Sequence, residues 1–217
     1  MKRVLFIVLA CIWLAGCGGG KTASGPKPSR PLLIGEIGDM DTTNEFISQS
    51  AFTAELAKQF YLPLFKEQPD FQEHPPTFQP ELVEKYEFSA DGKTLTCSLR
   101  KGLLWSDGQP LTARDAVFTH KAATSEGVAW SGADAKQFIT SVEAPDDLTL
   151  IYKFSRKYPY QLMDVAEGGV LPEHAFGKVP FDQWAKHDFT QDRVFSGPFV
   201  LKEWRRQESI LLEPNPG

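Results

Sequence analysis

Residues 93–100 alternate without a break: Leu95, Cys97 and Leu99 are apolar, while Thr94, Thr96 and Ser98 are polar. A period of two marks a strand with one face in a core and one in water, and such a strand needs partners to exist. The chain supplies one immediately upstream. Val83–Phe88 reads as a second strand, and Ser89-Ala90-Asp91-Gly92 joins the two as a turn in which Gly92 is free to take a positive φ. Lys101-Gly102 reverses the chain again, Leu103-Leu104-Trp105 starts another extended piece, and Asp107-Gly108 makes a further turn. Thr112 and Asp115 then stand three apart as a capping box, which predicts a helix running through Ala116, Val117 and Phe118 to about Ala123.

The remaining elements follow the same logic. Residues 139–144 and 148–154 read as a second hairpin around Pro145-Asp146-Asp147, with Leu148, Leu150, Tyr152 and Phe154 on one face. Residues 51–65 carry Phe52, Leu56, Phe60 and Leu64 close to one helical face, and Pro63 predicts that this helix ends near Tyr61. Residues 32–35 read as a short strand and 36–43 as a polar loop. The four prolines of 68–80 predict an irregular connection, and 170–174 reads as a short strand entering a loop. Residues 197–204 and 209–213 read as strands joined by a charged turn. Hairpins beside isolated helices, with 16 prolines and 16 phenylalanines, predict an α+β fold and not a doubly wound parallel sheet or a helical bundle.

The N-terminus addresses the chain to a compartment. Met1-Lys2-Arg3 is positive, residues 4–14 are apolar and uncharged, and Leu14-Ala15-Gly16-Cys17 follows directly. So short a run does not comfortably span roughly 30 Å of hydrocarbon, which favours a removable export signal over a permanent anchor. The last four residues resemble a lipobox, so residues 1–16 are expected to be a lipoprotein signal peptide and Cys17 the lipidated residue. The polar, glycine-rich residues 17–31 are expected to be a flexible tether, with the folded part at 32–217. More than one acyl chain would anchor such a protein stably on the periplasmic or extracellular face of a bacterial envelope. Cys97 is then the lone thiol of the folded part, unable to form an internal disulfide and expected to be a small buried apolar residue. The formal net charge is -5, and loss of Lys2 and Arg3 with the leader takes it to -7. That balance excludes a nucleic-acid partner.

Five blocks carry a family likeness. FSADGKTLTCSLRKG (88–102) and its continuation WSDGQPLTARDAVF (105–118) are similar to the signature of family 5 solute-binding proteins. SVEAPDDLT (141–149), LPEH (171–174) and SGPF (196–199) follow in the same order. The resemblance is to the oligopeptide-, dipeptide- and nickel-binding proteins of ABC transporters. It implies a periplasmic-binding-protein-like fold of the class with an extra subdomain, of which this chain would hold an incomplete first lobe without the second. Two such lobes close like a hinge over a solute and present it to permease subunits in the membrane, with no bond broken and no cofactor. A peptide or similar small solute is the expected ligand, and relatives that carry nickel complexes, sugars or opines leave its identity open. Cys97 departs from the family, which usually has an aromatic or aliphatic residue there.

The resemblance also points to ligand contacts. Glu36, Gly38, Met40 and Asp41 lie in the loop that lines the cleft in related proteins; Glu36 would meet an amino group, and Gly38 would turn the backbone towards an extended ligand. The competing view is an ordinary surface loop. Trp130 offers a broad face for a peptide or chelated metal, or else packs in the core. Gly168 and Gly169 would let backbone approach a solute closely, or form a plain turn. His74, His120, His174 and His187 match no compact zinc spacing, so no metal site is expected. A secreted hydrolase is the alternative from the enzyme class. Against it, the sequence holds no Gly-x-Ser-x-Gly elbow and no His-Glu-x-x-His motif, and Asp146-Asp147 reads as a turn and not a catalytic pair. A truncated remnant that binds nothing is the third reading.

Overall fold

The alternation of residues 93–100 becomes the centre of a sheet. A computed structural model describes residues 32–70 and 76–216. The expected signal peptide, Cys17, the tether and His74 lie outside the described residues. In chain order the first elements are helix α1 (Ala51–Phe60) and strands β1 (Phe65–Glu67), β2 (Phe78–Pro80), β3 (Val83–Phe88) and β4 (Thr94–Leu99). Helix α2 (Ala113–Ala123) and strands β5 (Ile139–Glu143) and β6 (Thr149–Phe154) follow. Helices α3 (Gln161–Ala166) and α4 (Glu173–Phe176) precede the last strands, β7 (Phe199–Arg205) and β8 (Ser209–Pro214).

The main sheet is antiparallel with strand order β3-β4-β6-β5. Leu95, Cys97 and Leu99 of β4 and Leu150, Tyr152 and Phe154 of β6 are all buried on one face, against which α2 packs. Each leucine or phenylalanine among them contributes about 1.5–3 kcal/mol on leaving water, so register here is strongly specified. Gly92, Gly102 and Gly108 all take positive φ, as the turns require. Asp146 accepts hydrogen bonds from the N–H groups of Leu148 and Thr149, both at 2.8 Å, which makes it the former of the β5–β6 turn. Cys97 is fully buried, and burial pushes its thiol up to about 12.

Away from the sheet the core becomes aromatic. Phe176 and Trp184 meet edge to face, and Phe189 packs on both. Phe60 stacks on Phe195 at 4.7 Å.

Three expectations fail. Residues 32–35 form no strand: Leu32, Leu33 and Ile34 are largely exposed, and no ladder of hydrogen bonds joins them to another segment among the described residues. Within 68–80, Phe78–Pro80 is a strand after all. Paired with β1, Pro80 sits opposite Phe65, at the end of an edge where its missing N–H costs nothing. Residues 170–174 are not a strand either. The chain is irregular to Pro172 and then helical from Glu173, because a buried carboxylate fixes that helix start.

That carboxylate is Asp115. One oxygen accepts the Thr112 N–H at 2.8 Å, the expected capping of α2, and the other accepts the Glu173 N–H at 2.9 Å, the first amide of α4. Thr119, one turn further along α2, donates its hydroxyl to the Asp115 carbonyl at 2.7 Å and accepts the Leu171 N–H at 2.8 Å. Two side chains of α2 therefore fix the path of the segment that leads out of residues 167–169.

Candidate functional site

A cleft of about 820 Å³ opens between the C-terminal end of α1, the β1–β2 hairpin, the end of α3 and the turn at residues 196–198. Its position follows from how α1 ends. Pro63 lies just beyond the helix, and Phe60 leaves a carbonyl that needs donors. Ser196 and Gly197 supply them: both backbone N–H groups donate to the Phe60 carbonyl, at 3.0 and 2.7 Å, while the Ser196 hydroxyl accepts the Leu62 N–H at 3.0 Å. A side chain at Gly197 is impossible without movement, since a Cβ there would stand 2.2 Å from the Gln59 carbonyl oxygen. The Ser-Gly-Pro-Phe block is thus both the cap of α1 and one wall of the cleft.

Gly168 and Gly169 form another part of the lining. Gly168 has φ +86°, and a Cβ on Gly169 would lie 2.5 Å from the Tyr61 Cβ. The Gly169 N–H donates to Glu45 at 2.7 Å and the Val170 N–H to the Leu62 carbonyl at 3.1 Å, which ties this segment to the exit of α1. Behind it Trp130 stacks on Phe46, with centroids 4.5 Å apart, and the Phe46 ring lies against Gly168. Trp130 is half-buried and packs on this wall from behind.

The loop residues fall elsewhere. Met40 is buried in the core, and Glu36 is exposed. Gly38 sits against Phe52, with room for a Cβ only at 3.1 Å from the Phe52 Cβ. Asp41 organises its own loop: it accepts from the Ser48 hydroxyl at 2.7 Å, the Gln49 N–H at 2.9 Å and the Thr53 hydroxyl at 2.8 Å. Burial pushes that carboxyl up, but these hydrogen bonds outweigh it and hold it below the usual carboxylate range. Gly168 and Gly169 line the cleft; Glu36, Gly38, Met40 and Asp41 do not.

Two ionisable groups at this wall have no counterpart in the sequence expectations. Glu45 lines the cleft, and burial, reinforced by the Glu167 charge, pushes its carboxyl up to about 7 against the opposing pull of the Gly169 N–H and Lys136. Lys136 is buried and donates to the carbonyls of Asp164 and, at 2.7 Å, Glu167; burial brings its ammonium down to about 8. Nothing in the local sequence singles either out, because both stand in polar stretches whose burial depends on distant partners.

Chemically the cleft offers hydrogen bonds and charge. Its acidic and basic lining comprises Glu45, Glu67, Glu81 and Glu167 with Lys58 and Lys66. Among the described lining residues there is no histidine or cysteine, and the serine, Ser196, is engaged with Leu62. No group of three or more His, Cys, Asp or Glu side chains among the described residues is arranged to hold a metal.

Solved structures place this architecture among the periplasmic binding proteins of the oligopeptide-binding kind. The oligopeptide-binding protein AppA of Bacillus subtilis, solved in complex with a nonapeptide, matches 84% of this chain with a TM-score of 0.72 and 25% identity. The substrate-binding protein CtaP of Listeria monocytogenes matches 82% with a TM-score of 0.69 and 27% identity. In each case the match takes in 35% of the other chain. The chain belongs to the bacterial extracellular solute-binding proteins, family 5, whose middle-region model matches residues 77–217. In sequence, AppA of B. subtilis is 27% identical over 228 residues, covering 99% of this chain and 40% of AppA. The chain therefore spans about two fifths of that relative's length, and the relatives it matches are binding proteins.

Proposed function

We propose that the chain is the first-lobe part of the solute-binding component of an ABC uptake transporter, and that it captures peptides or similar small solutes outside the cytoplasmic membrane. Residues 1–16 serve as its export signal, lipid on Cys17 anchors it, residues 17–31 are the tether and 32–217 form the lobe. No bond of the solute is broken, and permease subunits receive the closed form. One observation carries the reading: the Ser-Gly-Pro-Phe block, inside the region that defines the family, forms a wall of the large cleft. Gly168 and Gly169 line the same cleft, which has the volume of a small-molecule or peptide site. The name and bound nonapeptide of the Bacillus relative favour an oligopeptide over other solutes.

The test is solute-dependent melting of this chain, alone and joined to the second lobe of a full-length relative, with mixed oligopeptides, nickel–amino-acid chelates and sugars. A rise in melting temperature with peptides alone is the expected result. Turnover of a peptide or ester overturns the binding reading, and a shift with sugars or chelates alone overturns the choice of ligand.

A further inference from the structure

Helix α1 stops with acceptors to spare. The N–H groups that would close its last turn are diverted or missing: Tyr61 bonds to the Ala57 carbonyl, but the Leu62 N–H goes to the Ser196 hydroxyl, and Pro63 has none. Ser196 and Gly197 cap the Phe60 carbonyl, and Val170 caps that of Leu62. The carbonyl oxygens of Lys58, Gln59 and Tyr61 receive no hydrogen bond from any described residue. All three residues line the cleft, and Tyr61 is only 1% exposed, so its carbonyl is an acceptor taken out of water without a donor. The negative end of the helix dipole lies at the same place.

Carboxylates join these acceptors. Glu45 meets the exit of α1 at Gly169: a Cβ on Gly169 would stand 3.1 Å from the Tyr61 carbonyl oxygen and 3.2 Å from Glu45 Oε1. One Glu45 oxygen accepts the Gly169 N–H, and the other has no hydrogen-bond partner among the described residues. Glu67, Glu81 and Glu167 complete the acidic lining, and among the described residues none of the four carboxylates has a cation within ion-pair distance. Against them stand Lys58 and Lys66, and Lys58 is engaged at 2.9 Å with Glu55, which is not part of the lining. Behind the wall Lys136 faces Glu45, Glu167 and Asp164, one basic side chain against three acidic ones. Phe65, Phe78 and Met163 add apolar surface to the same cleft.

We propose that the cleft selects cationic solutes, taking the ammonium of a lysine side chain or the guanidinium of an arginine side chain of a peptide beside the end of α1. There Glu45 and the free carbonyls of Lys58, Gln59 and Tyr61 accept its N–H groups, while the apolar lining takes its hydrocarbon stem. Both head groups carry donors and no acceptor, which matches a place rich in unpaired acceptors. An uncharged apolar side chain leaves those acceptors empty, and a carboxylate is repelled by them. The selection rests on the reading that the cleft holds the solute, and it names the class of solute preferred there.

Titration of the full chain with blocked alanine pentapeptides, carrying lysine, arginine, norleucine or glutamate at the centre, tests the selection. The readout is the amide NMR shifts of Gln59, Leu62 and Gly169. A pH of about 8 keeps Glu45 ionised, since burial pushes its carboxyl up to about 7. The lysine and arginine peptides are expected to bind at least about tenfold more tightly than the norleucine peptide, which has the lysine stem without its ammonium. The glutamate peptide is expected to bind more weakly still. Glu45→Gln, which keeps an acceptor for the Gly169 N–H but loses the charge, is expected to cut the lysine preference by at least about threefold. Lysine and norleucine peptides binding within about threefold of each other, or a preference unchanged in Glu45→Gln, overturns the selection and leaves the solute-binding reading standing. Failure of every peptide to shift the cleft amides overturns both.

Discussion

Replacing Asp115 by alanine is expected to unfold the link between α2 and α4. In the wild type the two carboxylate oxygens take the N–H groups of Thr112 and Glu173, at 2.8 and 2.9 Å, and the side chain is buried. Each is a hydrogen bond to a carboxyl oxygen of Asp115, worth about 1.5–3 kcal/mol, and each lost partner strands a helix-start amide. Two such losses amount to about 3–6 kcal/mol, a large part of the roughly 5–15 kcal/mol that holds a domain together. For a chain of this size that corresponds to a fall in melting temperature of about 6–24 °C. Asp115→Asn keeps one acceptor oxygen and is expected to lose about half as much. Urea unfolding followed by tryptophan fluorescence measures the loss, since Trp184 packs on Phe176 of α4. A loss below about 1 kcal/mol for Asp115→Ala would refute the idea that one carboxylate starts both helices.

Three further outcomes are expected. Gly197→Ala forces a Cβ against the Gln59 carbonyl and should cost about 1–3 kcal/mol in urea unfolding while shifting the end of α1, seen as faster exchange of the Leu62 amide. Cys97 should resist thiol reagents at about pH 8 in the folded chain and react on unfolding, because burial keeps the thiol protonated up to about 12; prompt labelling of the native protein contradicts this. Cys17→Ser should move the protein from the membrane fraction to the soluble exported fraction, and an unchanged membrane fraction refutes lipid anchoring at that residue.

What the sequence makes legible is what local chemistry decides. The β3–β4 hairpin and α2 are readable because their period, turns and cap all lie within a few residues of one another. The ends of β1 and β2 are not: three residues carry no period, and four nearby prolines argue for a loop until the antiparallel partner is known. Residues 170–174 look extended because Val170 and Leu171 are apolar. The decisive contact, Asp115 to Glu173, spans 58 positions, although the acidic residue after Pro172 was a signal of a helix start. Residues 32–35 are apolar enough for a strand, yet a strand is defined by its partner.

The site divides in the same way. Gly168 and Gly169 are visible as a pair in the sequence, and the structure brings them to the cleft. Met40 is indistinguishable by sequence from a surface loop residue, and only the packing buries it. Asp41 looks like a ligand contact for the same reason that it organises its loop: a carboxylate accepts whatever donors are near, here Ser48, Gln49 and Thr53. Glu45 and Lys136 matter through residues 124 and 28 to 31 positions away, a distance no motif encodes.

The proposed function requires that a solute be held in the cleft lined by Gly168, Gly169, Ser196 and Gly197. Amide exchange mapped across the chain, with and without a saturating oligopeptide, tests this directly. Slower exchange at Gly169, Val170, Ser196 and Gly197, with the β3–β6 sheet unchanged, is the predicted result. Protection confined to other surfaces, or to the loop at residues 36–43, would contradict it.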